Sequence, residues 1–224
     1  MKHKHTLHFR FAFLDSPNLP KMSHNLVPVG EPLALFPEFI ARGPETLIMK
    51  EQVMSIGDDA FHVKTAAGAT VLTISADALS LSRRKRVFAP DGTHLFTIRH
   101  HLISIPSSYY VENPAGERIF EIKGKLHLLT SKAEGIFKNA VAGGREEKLL
   151  MEGSFFNRHT KITNERDGAV VAEIDRDMIN LRQILADRQT YAVHVAPGID
   201  IALIVAMVIC LDERRDAKTN DGGI

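Results

Sequence analysis

The residues best equipped for chemistry lie in one run, Arg83-Arg84-Lys85-Arg86. From Arg83 to His101, five basic residues (the fifth is Arg99) face one acid, Asp91, a local charge of +4. His94, His100 and His101 add to it when protonated. On a strand, Arg84 and Arg86 share one face, and Arg83 and Lys85 the other. Both faces of such a cluster cannot be core, so it belongs at a strand start or in a loop. Basic clusters attract lipid head groups or nucleic-acid phosphates, at about 1 kcal/mol per residue near a charged membrane. The same run also reads as a solvated polar rim or as a nuclear import signal.

Other titratable groups offer less. His3, His5 and His8 have a spacing that could hold a metal loosely, but they lie in a terminal tail. His100 and His101 point to opposite faces of a strand, poor geometry for chelation. His62, His94, His127, His159 and His194 are scattered singly and read as rim or satisfied core residues. Glu173, Asp175 and Asp177 fall at period two, a row that could bind a cation. Ion pairing with Arg166, Arg176 or Arg182 is the plainer reading. There is no EF-hand spacing, G-x-S-x-G, H-E-x-x-H, G-x-G-x-x-G or P-loop. The single cysteine, Cys210, lies in an apolar stretch where a thiol is inert. The expectation is a protein with no catalytic residue, no metal and no cofactor.

The elements that position these groups are legible from pattern. The chain has 224 residues with 28 Lys plus Arg against 27 Asp plus Glu, a net charge of +1, and 44% hydrophobic residues. That balance suits a packed domain and argues against a generally basic nucleic-acid binder. One cysteine excludes an internal disulfide framework. The first residues lack the apolar core of a secretory signal and the Ser and Arg enrichment of a mitochondrial presequence. A cytoplasmic protein is expected, with membrane-peripheral or nuclear placement open.

Six of ten prolines fall between Pro17 and Pro44, which makes residues 1–43 an extended arm. Its apolar residues Leu33, Leu35, Phe36, Phe39 and Ile40 are expected to touch the domain. Glycine turns then recur: Gly68 to Gly92 and Gly92 to Gly116 are each 24 residues, Gly116 to Gly143 is 27, and Gly144 to Gly168 is 24. Runs of period two flank each turn, so these are antiparallel hairpins in series. Five hairpins, an opening strand at Glu45–Gln52 and a closing one at Thr190–Ala196 bring the count to about twelve. Leu102–Ile105 and Leu126–Leu129 are strand extensions or separate strands, and Met178–Gln189 suits a short helix or loop.

Ile201 to Leu211 has no polar side chain, and Asp200 stands before it as an N-cap. The stretch is far short of the roughly 20 apolar residues that cross a bilayer. A helix apolar on every side must be enclosed on every side. The predicted core is Ile201, Leu203, Ile204, Val205, Met207, Val208, Ile209 and Leu211, with Asp212 and Glu213 at the rim. The fold class is therefore mainly β: a closed antiparallel barrel of about twelve strands around one buried C-terminal helix, with the domain at 44–216 and a flexible tail at 217–224.

At this point the sequence resembles the LURP-one-related family, part of the tubby C-terminal-like superfamily. The resemblance rests on RVFAPDGTHLFTIR (86–99), GSFFNRHTKI (153–162), VVAEIDRD (170–177) and, most specifically, TYAVHVAPGIDIALIVAMVICLDE (190–213). It spans about Pro44 to Asp216 and looks most like the fungal and bacterial-type members. It implies a twelve-stranded barrel around a central helix, in agreement with the residue pattern. It implies no single activity: plant members are linked to defence, tubby proteins bind phosphoinositides, and phospholipid scramblases are similar in fold. No tubby lipid-binding motif matches here residue by residue, so no site is carried over. The expectation is a non-enzymatic binding module for anionic phospholipid head groups, with Arg83, Arg84, Lys85 and Arg86 as candidates, or for a protein partner in signalling or stress response. The alternative is a scramblase-like lipid-handling protein.

Overall fold

Alternating apolar and polar side chains, closed off by glycine turns, form twelve strands of four to nine residues in the computed structural model. It describes residues 26–50, 61–76, 84–101, 108–125, 131–153, 159–176 and 190–221. The strands are β1 (Glu45–Lys50), β2 (Phe61–Thr65), β3 (Thr70–Ala76), β4 (Lys85–Phe88), β5 (His94–His100), β6 (Tyr109–Glu112), β7 (Arg118–Lys125), β8 (Ser131–Asn139), β9 (Arg145–Gly153), β10 (His159–Asn164), β11 (Val170–Asp175) and β12 (Thr190–Val195). Each pairs antiparallel with its sequence neighbour, and β1 pairs with β12 from Glu45↔Val195 to Lys50↔Thr190, closing the barrel.

The five predicted hairpin turns are present, with their glycines at positive φ. In four of the five hairpins the register slips by one residue beside the turn, after Val63, Val87, Val111 and Ile162. An extra residue on one strand tightens the local twist, and repeated bulges help a sheet curl until its edges meet. Closure leaves no exposed strand edge. The predicted segments Leu102–Ile105, Leu126–Leu129 and Met178–Gln189 lie outside the described residues.

The helix α1 (Ile201–Asp221) fills the barrel. Every residue from Ile201 to Asp212 is buried, including all eight predicted core positions. The helix runs ten residues past the predicted end at Leu211, through part of the segment predicted as tail. Apolarity marks only the enclosed part. Beyond it Glu213, Arg214, Arg215, Ala217 and Lys218 are good helix formers that keep the turns going.

All five hairpin turns, the start of β1 and the start of α1 lie at one end of the barrel. The arm closes that end. Leu33 bridges to Ile199 and Ile40 to Asp200. The Leu33 amide donates to the Gly198 carbonyl at 3.0 Å, and the Asp200 amide to the Leu33 carbonyl at 2.9 Å. Buried Asn139, at the β8–β9 turn, accepts from the Ala34 amide and donates to the Pro32 carbonyl. Leu33 and Phe39 are in the core, and Phe36 stacks on Phe96 at 5.5 Å. Glu31 pairs with Arg145 at 2.6 Å and Arg166 at 3.2 Å, and both arginines also hold buried Glu147. Those arginines keep the Glu31 carboxyl below its usual range, chiefly through the Arg145 hydrogen bond. From residue 26 onward, the predicted arm is thus tied into the barrel.

Candidate functional site

Strand alternation decides where the basic run points. Arg83 lies outside the described residues. Lys85 opens β4 with its side chain turned away from solvent, only 2% exposed, on the same side as buried Val87. It is therefore not part of an outer basic patch, a correction to the four-residue cluster. Arg86 is exposed and Arg84 half-buried. The Nε of Arg84 is buried and has no hydrogen-bond partner. Among the described residues, neither Arg84 nor Arg86 takes part in an ion pair.

The β4–β7 register supplies the neighbours. Arg86 pairs with Thr97, so the next step places Arg84 opposite Arg99. Arg99 pairs with Tyr110, and Tyr110 with Glu121. Arg118 on β7 pairs with Glu112 and sets its guanidinium 4.3 Å from the Tyr110 ring centre, within cation–π range. Arg99 donates to Glu112 at 2.6 Å. Glu121 is held by Lys123 at 3.1 Å. The outer face thus gathers Arg84, Arg86, Arg99 and Arg118 around Tyr110, with Glu112 as the acid that holds one of them. Guanidinium groups are planar forks suited to bidentate capture of phosphate oxygens.

Arg99 belongs to the basic segment 83–101, whereas Tyr110, Glu112 and Arg118 lie beyond it in the sequence. Alternation marks each as outward. What brings them together is the register across four strands, and no local signal carries that.

The remaining candidates are accounted for by structural partners. Glu173 pairs with Lys161 at 3.3 Å, and buried Asp175 lies 3.5 Å from His159, so both acids of the described row are engaged. Asp177 and the tail histidines lie outside the described residues. Of the partners expected for that row, Arg166 pairs with Glu31 and Glu147, and Arg176 pairs with Asp212. Asp212 also accepts from the Tyr191 hydroxyl, and Arg176 lies over the Tyr191 ring, so this polar group locks the helix against β11 and β12. The Nε2 of His94 is within hydrogen-bond distance of the Phe96 carbonyl and the Thr97 hydroxyl, and Nδ1 of His194 of the Thr46 hydroxyl. Asp200 is the cap that the sequence predicts: it accepts from the Ala202 and Leu203 amides at 2.7 and 3.2 Å. It also accepts from the Leu35 and Phe36 amides of the arm at 3.0 and 2.8 Å. Burial outweighs these donors and pushes its carboxyl up to about 7. Cys210 is buried in the helix.

Comparison with known proteins agrees with this architecture. The model of the LURP-one-related family matches residues 45–212. The chain is 23% identical to Protein LURP-one-related 10 of Arabidopsis thaliana over 193 residues, covering 81% of this chain and 97% of that protein. It is 19% identical to Protein LURP-one-related 15 of the same plant, covering 79% and 83% respectively. The crystal structure of an Arabidopsis thaliana protein superposes with a TM-score of 0.57 at 16% identity, covering 79% of this chain and 94% of that one.

Proposed function

The chain belongs to the LURP-one-related family, and from that premise we propose that it is a binding module, not an enzyme, whose β4–β7 face docks on the head groups of anionic phospholipids. One observation carries the reading: Arg84 and Arg86 project from the outer face without an acid partner among the described residues, beside Arg99 and Arg118. Unneutralised arginines on one face favour a partner that brings negative charge. At about 1 kcal/mol per residue near an anionic surface, four arginines less Glu112 give about 3 kcal/mol. That is a peripheral and salt-sensitive association, suited to the cytoplasmic leaflet. Among the described residues no helix is long and apolar enough to cross a membrane.

The scramblase-like alternative needs the apolar helix to reach lipid. Enclosure of Ile201–Leu211 within the barrel speaks against that route. The test is co-sedimentation with vesicles of phosphatidylcholine alone, with phosphatidylserine, or with phosphoinositide. Arg84→Glu with Arg86→Glu reverses two charges, and is expected to weaken binding at least about 100-fold while far-UV circular dichroism stays unchanged. Equal binding by wild type and variant, or binding by neither, rejects the lipid reading. In the second case a protein partner is the reading left, to be sought by pull-down.

A further inference from the structure

We propose that Arg145 and Arg166 form a phosphate seat at the turn end of the barrel, and that Glu31 of the arm occupies it as a built-in competitor. The seat is separate from the β4–β7 face. Arg145 opens β9 directly after the Gly143-Gly144 turn, and Arg166 lies in the β10–β11 turn. Backbone bonds fix both positions. The Glu165 amide donates to the Lys148 carbonyl at 2.9 Å, which ties the β10–β11 turn to β9. The Arg166 amide donates to Oδ1 of buried Asn164 at 3.1 Å. Glu147, whose side chain is 1% exposed, then holds the two guanidinium groups. Its Oε1 accepts from Nε and Nη2 of Arg145 at 2.8 and 2.6 Å, and its Oε2 from Nε of Arg166 at 3.3 Å. The pair of forks is therefore built by the barrel alone and oriented by a buried acid.

What the arm adds is the occupant. Nη2 of Arg145 and Nη2 of Arg166 converge on one atom, Oε2 of Glu31, at 2.6 and 3.2 Å. Planar forks suit an anion that gives each its own oxygen, whereas here two forks share one. A phosphate group has an oxygen for each. The charge agrees: with Glu31 set aside, two arginines less Glu147 leave +1. The acids nearby in sequence are engaged elsewhere. Glu165 pairs with Lys148 at 3.8 Å, Asp167 accepts from the Ala169 amide in its own turn, and Glu146 stands opposite Lys138. Displacing Glu31 is a local event. Its side chain is 38% exposed, and ion pairs so exposed contribute little. The arm is fastened on either side of it, by the Val29 amide to the Pro197 carbonyl and by the Leu33 amide to the Gly198 carbonyl, with Leu33 fully buried. Rotation of the Glu31 side chain thus opens the seat while the arm stays in place.

The experiment titrates the full chain with inorganic phosphate, against sodium chloride at matched ionic strength, and follows the Nε–H resonances of Arg145 and Arg166 by NMR. Both are expected to shift saturably with phosphate and not with chloride. Glu31→Gln removes the competing charge and is expected to bind phosphate about two- to fivefold tighter. Arg166→Gln removes one fork and is expected to bind at least about tenfold weaker, with an unchanged far-UV circular dichroism spectrum. Arg84→Glu with Arg86→Glu is expected to titrate as wild type does. Vesicles containing phosphatidic acid, whose head group is a phosphate monoester, identify the source. Tighter binding of Glu31→Gln to those vesicles assigns the seat to a lipid, and an effect confined to free phosphate assigns it to a soluble ligand. Resonances that ignore phosphate, resonances that respond equally to chloride, or an affinity unchanged in Glu31→Gln overturn the inference and leave the β4–β7 reading untouched.

Discussion

Replacing Asp200 separates two roles that meet in one buried carboxyl. Asp200→Ala removes the cap from the Ala202 and Leu203 amides, a loss of about 1 kcal/mol. It also strands the Leu35 and Phe36 amides of the arm at about 1–3 kcal/mol each. The expected cost is about 3–7 kcal/mol at mildly acid pH, a large share of the 5–15 kcal/mol typical of a domain. The pH dependence has a definite sign. Burial raises the folded carboxyl from 3.8 to about 7, so the folded state keeps a proton that the unfolded state releases. The associated stabilisation is complete below about pH 4 and is lost as pH rises through about 7. At about 1.4 kcal/mol per pH unit, the advantage of wild type over Asp200→Ala shrinks by about 4 kcal/mol across that window. Urea unfolding of both proteins at about pH 5 and pH 8, followed by far-UV circular dichroism, reads about 3 kcal/mol of that change, the part lost between about pH 5 and 7, while other titrations cancel. A cost below about 1 kcal/mol at the lower pH refutes the shared cap. A cost larger at the higher pH shows instead that four amide donors outweigh burial and favour the charged carboxylate.

Two further outcomes test the packing. A Cβ on Gly135 would stand 2.7 Å from Phe120 Cζ and 3.3 Å from Met207 Sδ, and Phe120 is buried with its ring edge-on to Phe137. Gly135→Ala is expected to destabilise by about 1–3 kcal/mol in urea unfolding, and an unchanged midpoint would show that the ring relocates at no cost. Asp212→Ala leaves the Tyr191 hydroxyl and Arg176 without their shared acceptor. A loss of about 2–5 kcal/mol is expected, with earlier amide exchange in the second half of α1, and unaltered exchange there would refute the lock.

The barrel and its filling were legible because both leave local marks. Period-two runs around Gly68, Gly92, Gly116, Gly143 and Gly168 announce hairpins, and eleven apolar residues after Asp200 announce an enclosed helix. Less visible was anything that depends on residues far apart in the chain. Asn139 meets Ala34 across 105 positions, and Asp200 meets Leu35 across 165, so nothing in the proline-rich segment alone shows that it is fastened to the barrel. The basic run was visible as composition. Its division, with Lys85 inward and Arg84 and Arg86 outward, follows from alternation only once the sheet's inner side is known. Its aromatic neighbour Tyr110 follows only from register.

The enclosed helix also sets the order of events in biosynthesis. All twelve strands precede α1 in the sequence, and Glu45 of β1 finds its partner only when Val195 has been made. Emerging from the ribosome, the strands therefore carry an apolar inner surface that has nothing to close on. The segment that fills it is translated after them, and contacts this distant in sequence form slowly. Completion of the interior is thus a late step of synthesis or one that follows it. Until then, the open apolar sheet is the part of the nascent chain most exposed to aggregation.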